Sequence, residues 1–439
     1  MRLTSMSFAL AVTALWTLPL LGQAATWPQW RGPSGTGATE GRPPIEWSID
    51  DGRNIHWKRE LPGRGHSSPI VWEDRIYLTA AVAVGPKLPP KMSGRPGAHD
   101  NLPVDRQYRF NVLAIDRETG EISWEKTVHQ AVPVEGGRYT ASLASASPVT
   151  DGERIYAHFG SFGVYCLDRD GATVWSKQLG MMHTKHGHGE GSSPVLFKQT
   201  LLVNWDHEEQ SFLVALDTAT GEERWRRDRD EVTSWSTPLV VTVEGRPQVV
   251  VCGTDRVRGY DLKNGEVIWE CGGLSANIVA TPVSADGILY VGSSYEKRAL
   301  MAIRLQGSQG DISDSEQVLW TRMRGTPYVP SPLLYRGALY YLTHYQNILT
   351  RIEAESGVDQ PGAMRLGPLG NIYASPVAAN GHVYITDLDG VTLVLSSTEV
   401  PRLIAVNPLG EPVSASAAIV GKQMFIRGEK HLFCLQESD

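Results

Sequence analysis

One short motif that recurs along the chain most constrains what it can fold into. A small residue and a proline open an apolar run in "SSPIV" at 67, "ASPVT" at 146, "SSPVL" at 192, "STPLV" at 236, "ATPVS" at 280, "PSPLL" at 330 and "ASPVA" at 374. The prolines are Pro69, Pro148, Pro194, Pro238, Pro282, Pro332 and Pro376, so successive gaps are 79, 46, 44, 44, 50 and 44 residues. An eighth, weaker copy, "ASAAI" at 415, carries Ala417 where the others carry proline. Repeats of about 20 to 50 residues indicate solenoids or propellers, whose units bury their apolar faces only by stacking on neighbours.

A second signature follows the first: "AIDRETGEISW" (114–124), "ALDTATGEERW" (215–225), "GYDLKNGEVIW" (259–269) and the shortened "CLDRDGATVW" (166–175). Asp followed by Thr-Gly or Asn-Gly is a turn, because the carboxylate accepts nearby backbone N–H groups and glycine takes positive φ. The tryptophan is expected to dock at the outer edge of its unit. Between the signatures, segments such as "RIYLTAAV", "TLLVNWD", "QVVVCGT" and "HVYITDL" are rich in β-branched and aromatic residues and read as short strands. The fold expected is all-β: an eight-bladed β-propeller of four-stranded antiparallel blades. The last copy (414–435) lacks a Trp-bearing fourth strand, while "NIHWKREL" (54–61) has such a strand with nothing before it. Pairing the two closes the ring and removes exposed edges.

The repeated Ala-x-Asp-x-x-Thr-Gly-x-x-x-Trp pattern resembles the pyrroloquinoline-quinone (PQQ) repeat propellers over residues 54–435. The opening "WPQWRGP" (27–33) and the length are most similar to exported BamB-like members. That resemblance implies a propeller used either as a non-catalytic scaffold or as a quinoprotein dehydrogenase. The dehydrogenases need an ion held by carboxylate and amide groups, an aspartate base and usually a disulfide between adjacent cysteines. No adjacent cysteines occur here. PQQ as a cofactor is thus implied by resemblance but not favoured by the residues, and fold alone does not carry function.

The N-terminus reads as an export signal over residues 1–24: Met1-Arg2, an apolar run from Phe8 to Leu21, then Gly22-Gln23-Ala24. The run is short of the roughly 20 residues that cross a bilayer. With no cysteine near the cleavage site, a lipid anchor is not expected, and the protein is placed in the periplasm or outside the cell. Residues 25–53 form an N-terminal extension and 54–439 the propeller. A net charge of −7 gives no basic footprint for nucleic acid. Cys252 and Cys271 fall on strands of one blade separated by a third, which argues against a disulfide between them.

In a blade running A to D from the axis outward, D-to-A links and B-to-C turns share one face. The D-to-A link "MMHTKHGHGEG" brings His183, His186, His188 and Glu190 there, and the B-to-C turn "NWDHEEQ" of the same blade brings Asp206, His207 and Glu208. Imidazole and carboxylate are ligands that zinc and other first-row metals accept, so these seven are the candidate divalent-metal set. A second reading of the loop is a solvated turn whose side chains bond nearby backbone. The same register places Arg64, His66, Trp235, Asn277, Arg298, Tyr328, His344 and Tyr373 around the channel mouth as candidate ligand-binding residues. An insertion, residues 85–107, enters at the B-to-C turn of the first blade; it is either a cover over the mouth or a disordered arm for a partner. The function expected is an exported, monomeric binding or scaffold module with a protein partner or small ligand at the channel mouth. A PQQ- or metal-dependent oxidoreductase using the same face is the alternative, and a sugar- or polymer-binding module shares its aromatic lining.

Overall fold

The structure, a computed structural model, describes residues 26–438. The expected export signal lies outside the described residues. Eight four-stranded antiparallel sheets form a ring. Blade 1 contains Ile70–Trp72, Arg75–Val84, Gln107–Asp116 and Ile122–Ala131. Blade 8 contains Ala418–Val420, Gln423–Arg427 and His431–Leu435, and its outer strand is Ile55–Glu60 from the other end of the chain. The ring is therefore closed by an N-terminal strand, as the repeat pattern requires. Inner strands such as Thr200–Trp205 are buried along their whole length, whereas the outer strand Glu223–Arg229 mixes exposed and covered positions. The apolar runs follow from this, since inner strands are covered on both faces by neighbouring blades.

Both sequence signatures are contacts between blades. The Trp57 indole donates to the Arg117 carbonyl of blade 1, at 3.0 Å, and lies on Gly120. Trp124, Trp175, Trp225 and Trp320 repeat this contact on the turns at Arg169, Thr218, Leu262 and Ala354. Gly120 has φ +71°, and a Cβ there would lie 2.6 Å from the Trp57 ring, so the turn needs glycine for both reasons. Trp269 differs: it donates to Gln248 in its own blade. The next blade has no Asp-Gly turn at that place, because its chain departs after Arg304 to add Gly310–Asp311 as a fifth, parallel strand beside Trp269.

The residue before each proline makes the second contact. The backbone N–H of Ser68 donates to the Ser147 hydroxyl, that of Ser147 to Ser193, of Ser193 to Thr237 and of Thr237 to Thr281. Thr281 continues to Ser331, Ser331 to Ser375, Ser375 to Ser416, and Ser416 returns to Ser68. Eight blades thus share a closed circuit of hydrogen bonds around the axis. Ala417 breaks the proline pattern without breaking this circuit, since Ser416 retains the hydroxyl.

The four cysteines are free and buried. Cys252 and Cys271 both pair with Val257, from opposite sides, so a full strand separates them.

Candidate functional site

The extension after residue 25 crosses the channel beneath the A-to-B turns. The carbonyl of Pro28 accepts from Thr150 N in blade 2, while Arg31, 1% exposed, donates to the Pro332 carbonyl in blade 6 at 2.6 Å. Ala38–Thr39 then pair with the innermost strand of blade 7, and Arg42 N reaches the Gly421 carbonyl in blade 8. Arg31 has backbone carbonyls as its hydrogen-bond partners, and burial pulls its guanidinium down to about 9. Spanning opposite blades, this segment forms a floor, on which Trp30 faces the channel.

Above Trp30 lies a chamber of about 360 Å³ whose lower wall is the hydroxyl circuit. Its upper wall is aromatic. Tyr295 stacks on Tyr328 with centroids 5.8 Å apart, Tyr328 meets His344 at 4.5 Å, and Tyr345 stacks on Tyr373 at 5.5 Å. Trp235 completes the wall, its indole N–H held by the Gly189 carbonyl at 2.7 Å. Burial raises the Tyr328 phenol and lowers His344, which also feels Arg298.

The insertion is ordered over the mouth. Leu102 N donates to the Gly137 carbonyl, Arg95 pairs with Glu135 at 2.9 Å, and Asn101 Nδ2 donates to the His186 and Gly187 carbonyls. Of the two expectations for residues 85–107, the cover describes the molecule. It brings His99 against His188 and His186, with centroids at 4.7 and 5.5 Å. His99 Nδ1 faces the Gly97 carbonyl and His186 Nδ1 the Pro96 carbonyl, so backbone of the insertion orients both rings.

Six of the expected ligand residues line the chamber: His66, Trp235, Asn277, Tyr328, His344 and Tyr373. Two do not. Arg64 turns away to pair with Glu429 at 2.5 Å, and Arg298 is an exposed residue outside the lining. His99, Arg138 and Trp30 were not expected. The first comes from the insertion and the last from the extension, segments outside the repeat register, although "WPQWRGP" carries an aromatic and an arginine on its face.

The candidate metal set is divided between separate environments. His186 and His188 face the chamber. His183 lies 3.6 Å from exposed Glu209. Glu190 and Asp206 open instead onto a cavity of about 50 Å³ behind Trp235. Asp206 is paired there with Arg229 at 2.8 Å, both side chains 0% exposed, and accepts from Ser234. Glu190 accepts from Ser161 N at 2.8 Å and from its hydroxyl; desolvation nevertheless pushes its carboxyl up to about 7. His207 is held by the Gln210 carbonyl and His183 N, and Glu208 by Thr233. Each acidic member is committed to an internal partner, so the seven do not converge. Among the described residues no three His, Cys, Asp or Glu side chains form a metal-holding group.

The profile of the family described as "Outer membrane protein assembly factor BamB" matches residues 36–190, 109–360 and 210–438. The chain belongs to this family of PQQ-repeat propellers. No curated protein matches it in sequence. Among solved structures, BamB from Moraxella catarrhalis is 14% identical, with a TM-score of 0.56 over 82% of this chain and 99% of that one. A europium-containing methanol dehydrogenase is 10% identical, with a TM-score of 0.60 over 93% and 91%. The quinohemoprotein alcohol dehydrogenase ADHIIG from Pseudomonas putida HK5 is 10% identical, with a TM-score of 0.55 over 94% and 82%. At such identities these likenesses show the fold, and the fold is common to a scaffold and to redox enzymes.

The lining of this BamB-family chamber does not fit the dehydrogenase arrangement set out above. Among the described residues no Asp or Glu lines it, so neither an ion-holding carboxylate nor an aspartate base faces the space. The cysteines are buried in blades 2, 4 and 8, away from it. Among the described residues no helix is long and apolar enough to cross a membrane.

Proposed function

We propose that this BamB-family propeller is an exported, monomeric binding module that holds a small molecule in its central chamber, on the face of the D-to-A and B-to-C loops. The observation that carries the reading is the construction of the chamber. It has a floor from the N-terminal extension, aromatic and amide walls, and an ordered cover from the insertion. A cavity of this kind, with a few converging polar groups, is the usual form of a small-molecule site. Ring closure by the chain's own strand supports a monomer. Residues 1–24 support export, and the family supports a scaffold role in which the cover would present the liganded state to a protein partner.

The test is native mass spectrometry of purified protein equilibrated with small-molecule extract, beside a Val279→Trp variant that fills the chamber. A mass adduct on the wild type that the variant loses is the expected result. If no fraction gives an adduct, or the variant retains it, the chamber reading fails.

A further inference from the structure

We infer that the chamber mouth, where Arg138, His99 and His188 meet, recognises a small molecule bearing a carboxylate or another oxyanion, and that its binding takes up a proton. The inference rests on the chamber being a ligand site and names the chemistry of what enters it. Three observations carry it.

First, the charge of the lining is one-sided. The chain has 48 Asp and Glu against 41 Lys and Arg, yet the formal charge that faces the chamber is Arg138, beside histidines that can accept protons and with no acidic side chain among the described residues. A wall of one sign in a low-dielectric cleft selects ligands of the other.

Second, the mouth holds buried polar atoms that the fold does not satisfy. Arg138 Nε is buried without a hydrogen-bond partner, and so is His188 Nε2 beside it. Buried polar atoms are ordinarily paired, and an arginine N–H is suited to a carboxylate or phosphate oxygen. Asn277 Oδ1, also buried and unpartnered, offers an acceptor to a ligand hydroxyl from the chamber wall.

Third, the charges that act on the mouth are identified among the described residues. On the cover, Asp100 lies 3.5 Å from Arg138 but is half exposed, and Arg95 is paired with Glu135. On the His-rich link, Lys185 lies 3.9 Å from Glu296, and His186 contacts both His99 and His188. Asp100 is therefore the carboxylate that offsets the mouth. Burial, then His99, Arg138 and His186, hold the His188 imidazole down to about 4, against Asp100. An oxyanion set against Arg138 offsets its repulsion of a charged His188 and draws a proton onto the imidazole. Binding then strengthens as pH falls through the ordinary histidine range.

The test is isothermal titration of the full protein with benzoate, D-glucuronate and inorganic phosphate, beside neutral benzamide and methyl β-D-glucoside, at about pH 5.5 and about pH 8. At least one anion is expected to bind about tenfold tighter at the lower pH, with proton uptake seen as a dependence of heat on buffer ionisation enthalpy. Arg138→Gln should weaken that binding by about tenfold or more, and His188→Asn should flatten its pH dependence. Arg226→Gln, on the outer strand of blade 3 where it pairs with Glu223, should change neither. The pH dependence and proton uptake are read on wild type and need no variant to fold. The inference is overturned if none of the anions binds, if binding is independent of pH, or if folded Arg138→Gln binds as the wild type does. Binding of the neutral probes alone would leave the chamber reading standing and remove this one.

Discussion

The backbone N–H of Ser416 donates to the hydroxyl of Ser68 at 3.0 Å, across 348 residues of chain. Through it the last blade joins the first in the circuit of Ser and Thr hydroxyls. Ser68→Ala leaves the Ser416 N–H buried and unpaired, a loss of about 1–3 kcal/mol. Ser68→Thr keeps the oxygen and should cost less than Ser68→Ala. Urea unfolding of both variants checks this. Equal stability of Ser68→Ala and wild type would mean the circuit is incidental to packing.

Trp57 is the second closure. Its ring lies on Gly120 and its N–H is held by Arg117, so removing it opens the junction between blades 8 and 1. Trp57→Ala should destabilise by about 3 kcal/mol, and Trp57→Phe, which keeps a ring but loses the hydrogen bond, by about 1. Gly120→Ala should approach the alanine variant at Trp57, because it meets both the positive φ and the ring. Thermal melts rank the three. A Gly120→Ala protein as stable as wild type would contradict the turn contact.

The fold was legible because its two signatures are the inter-blade contacts themselves. The residue before each proline carries the hydroxyl of the circuit, and the tryptophans sit where the next turn offers glycine. The site was less legible. Register placed His66, Trp235 and Tyr373 on the chamber wall because strand counting fixes which loops share a face. It did not place Arg138 and His99, since the insertion that carries His99 obeys no repeat. It grouped Asp206 with the histidines because both loops emerge on one face. Which way a side chain turns there is decided by a partner 23 residues away, Arg229, that the loop sequence does not name.

That pairing makes its own prediction. Asp206 and Arg229 are fully buried, and Arg229 also donates to Tyr260. Asp206→Ala strands a buried guanidinium and should cost about 3–5 kcal/mol. Replacing both, as Asp206→Leu with Arg229→Met, should recover most of the loss, because a well-packed apolar pair avoids the desolvation of two charges. Chemical denaturation of the single and double variants measures this. A double variant as unstable as the single would show that Asp206 is needed for more than its ion pair.

Glu190 sets a pH dependence whose sign is opposite to that of a salt-bridged acid. It packs over Gly160, where a Cβ would overlap its carboxylate, and desolvation raises its carboxyl from 4.5 to about 7. In the unfolded chain the proton leaves at the ordinary value, and in the folded chain it stays on to about pH 7. Between those values the unfolded state binds fewer protons, so stability falls as pH rises and the loss is complete above the folded value. Full burial would make this about 3 kcal/mol; Glu190 keeps some contact with solvent, which reduces it to about 2. Glu190→Gln retains an oxygen for Ser161 N and cannot ionise. It should match wild type near pH 4.5 and exceed it by about 2 kcal/mol at about pH 8. His158, whose imidazole burial pulls down to about 4, titrates in both proteins and cancels in the difference. Urea midpoints across this range decide the matter, and a difference that stays flat with pH would remove the buried acid from the account.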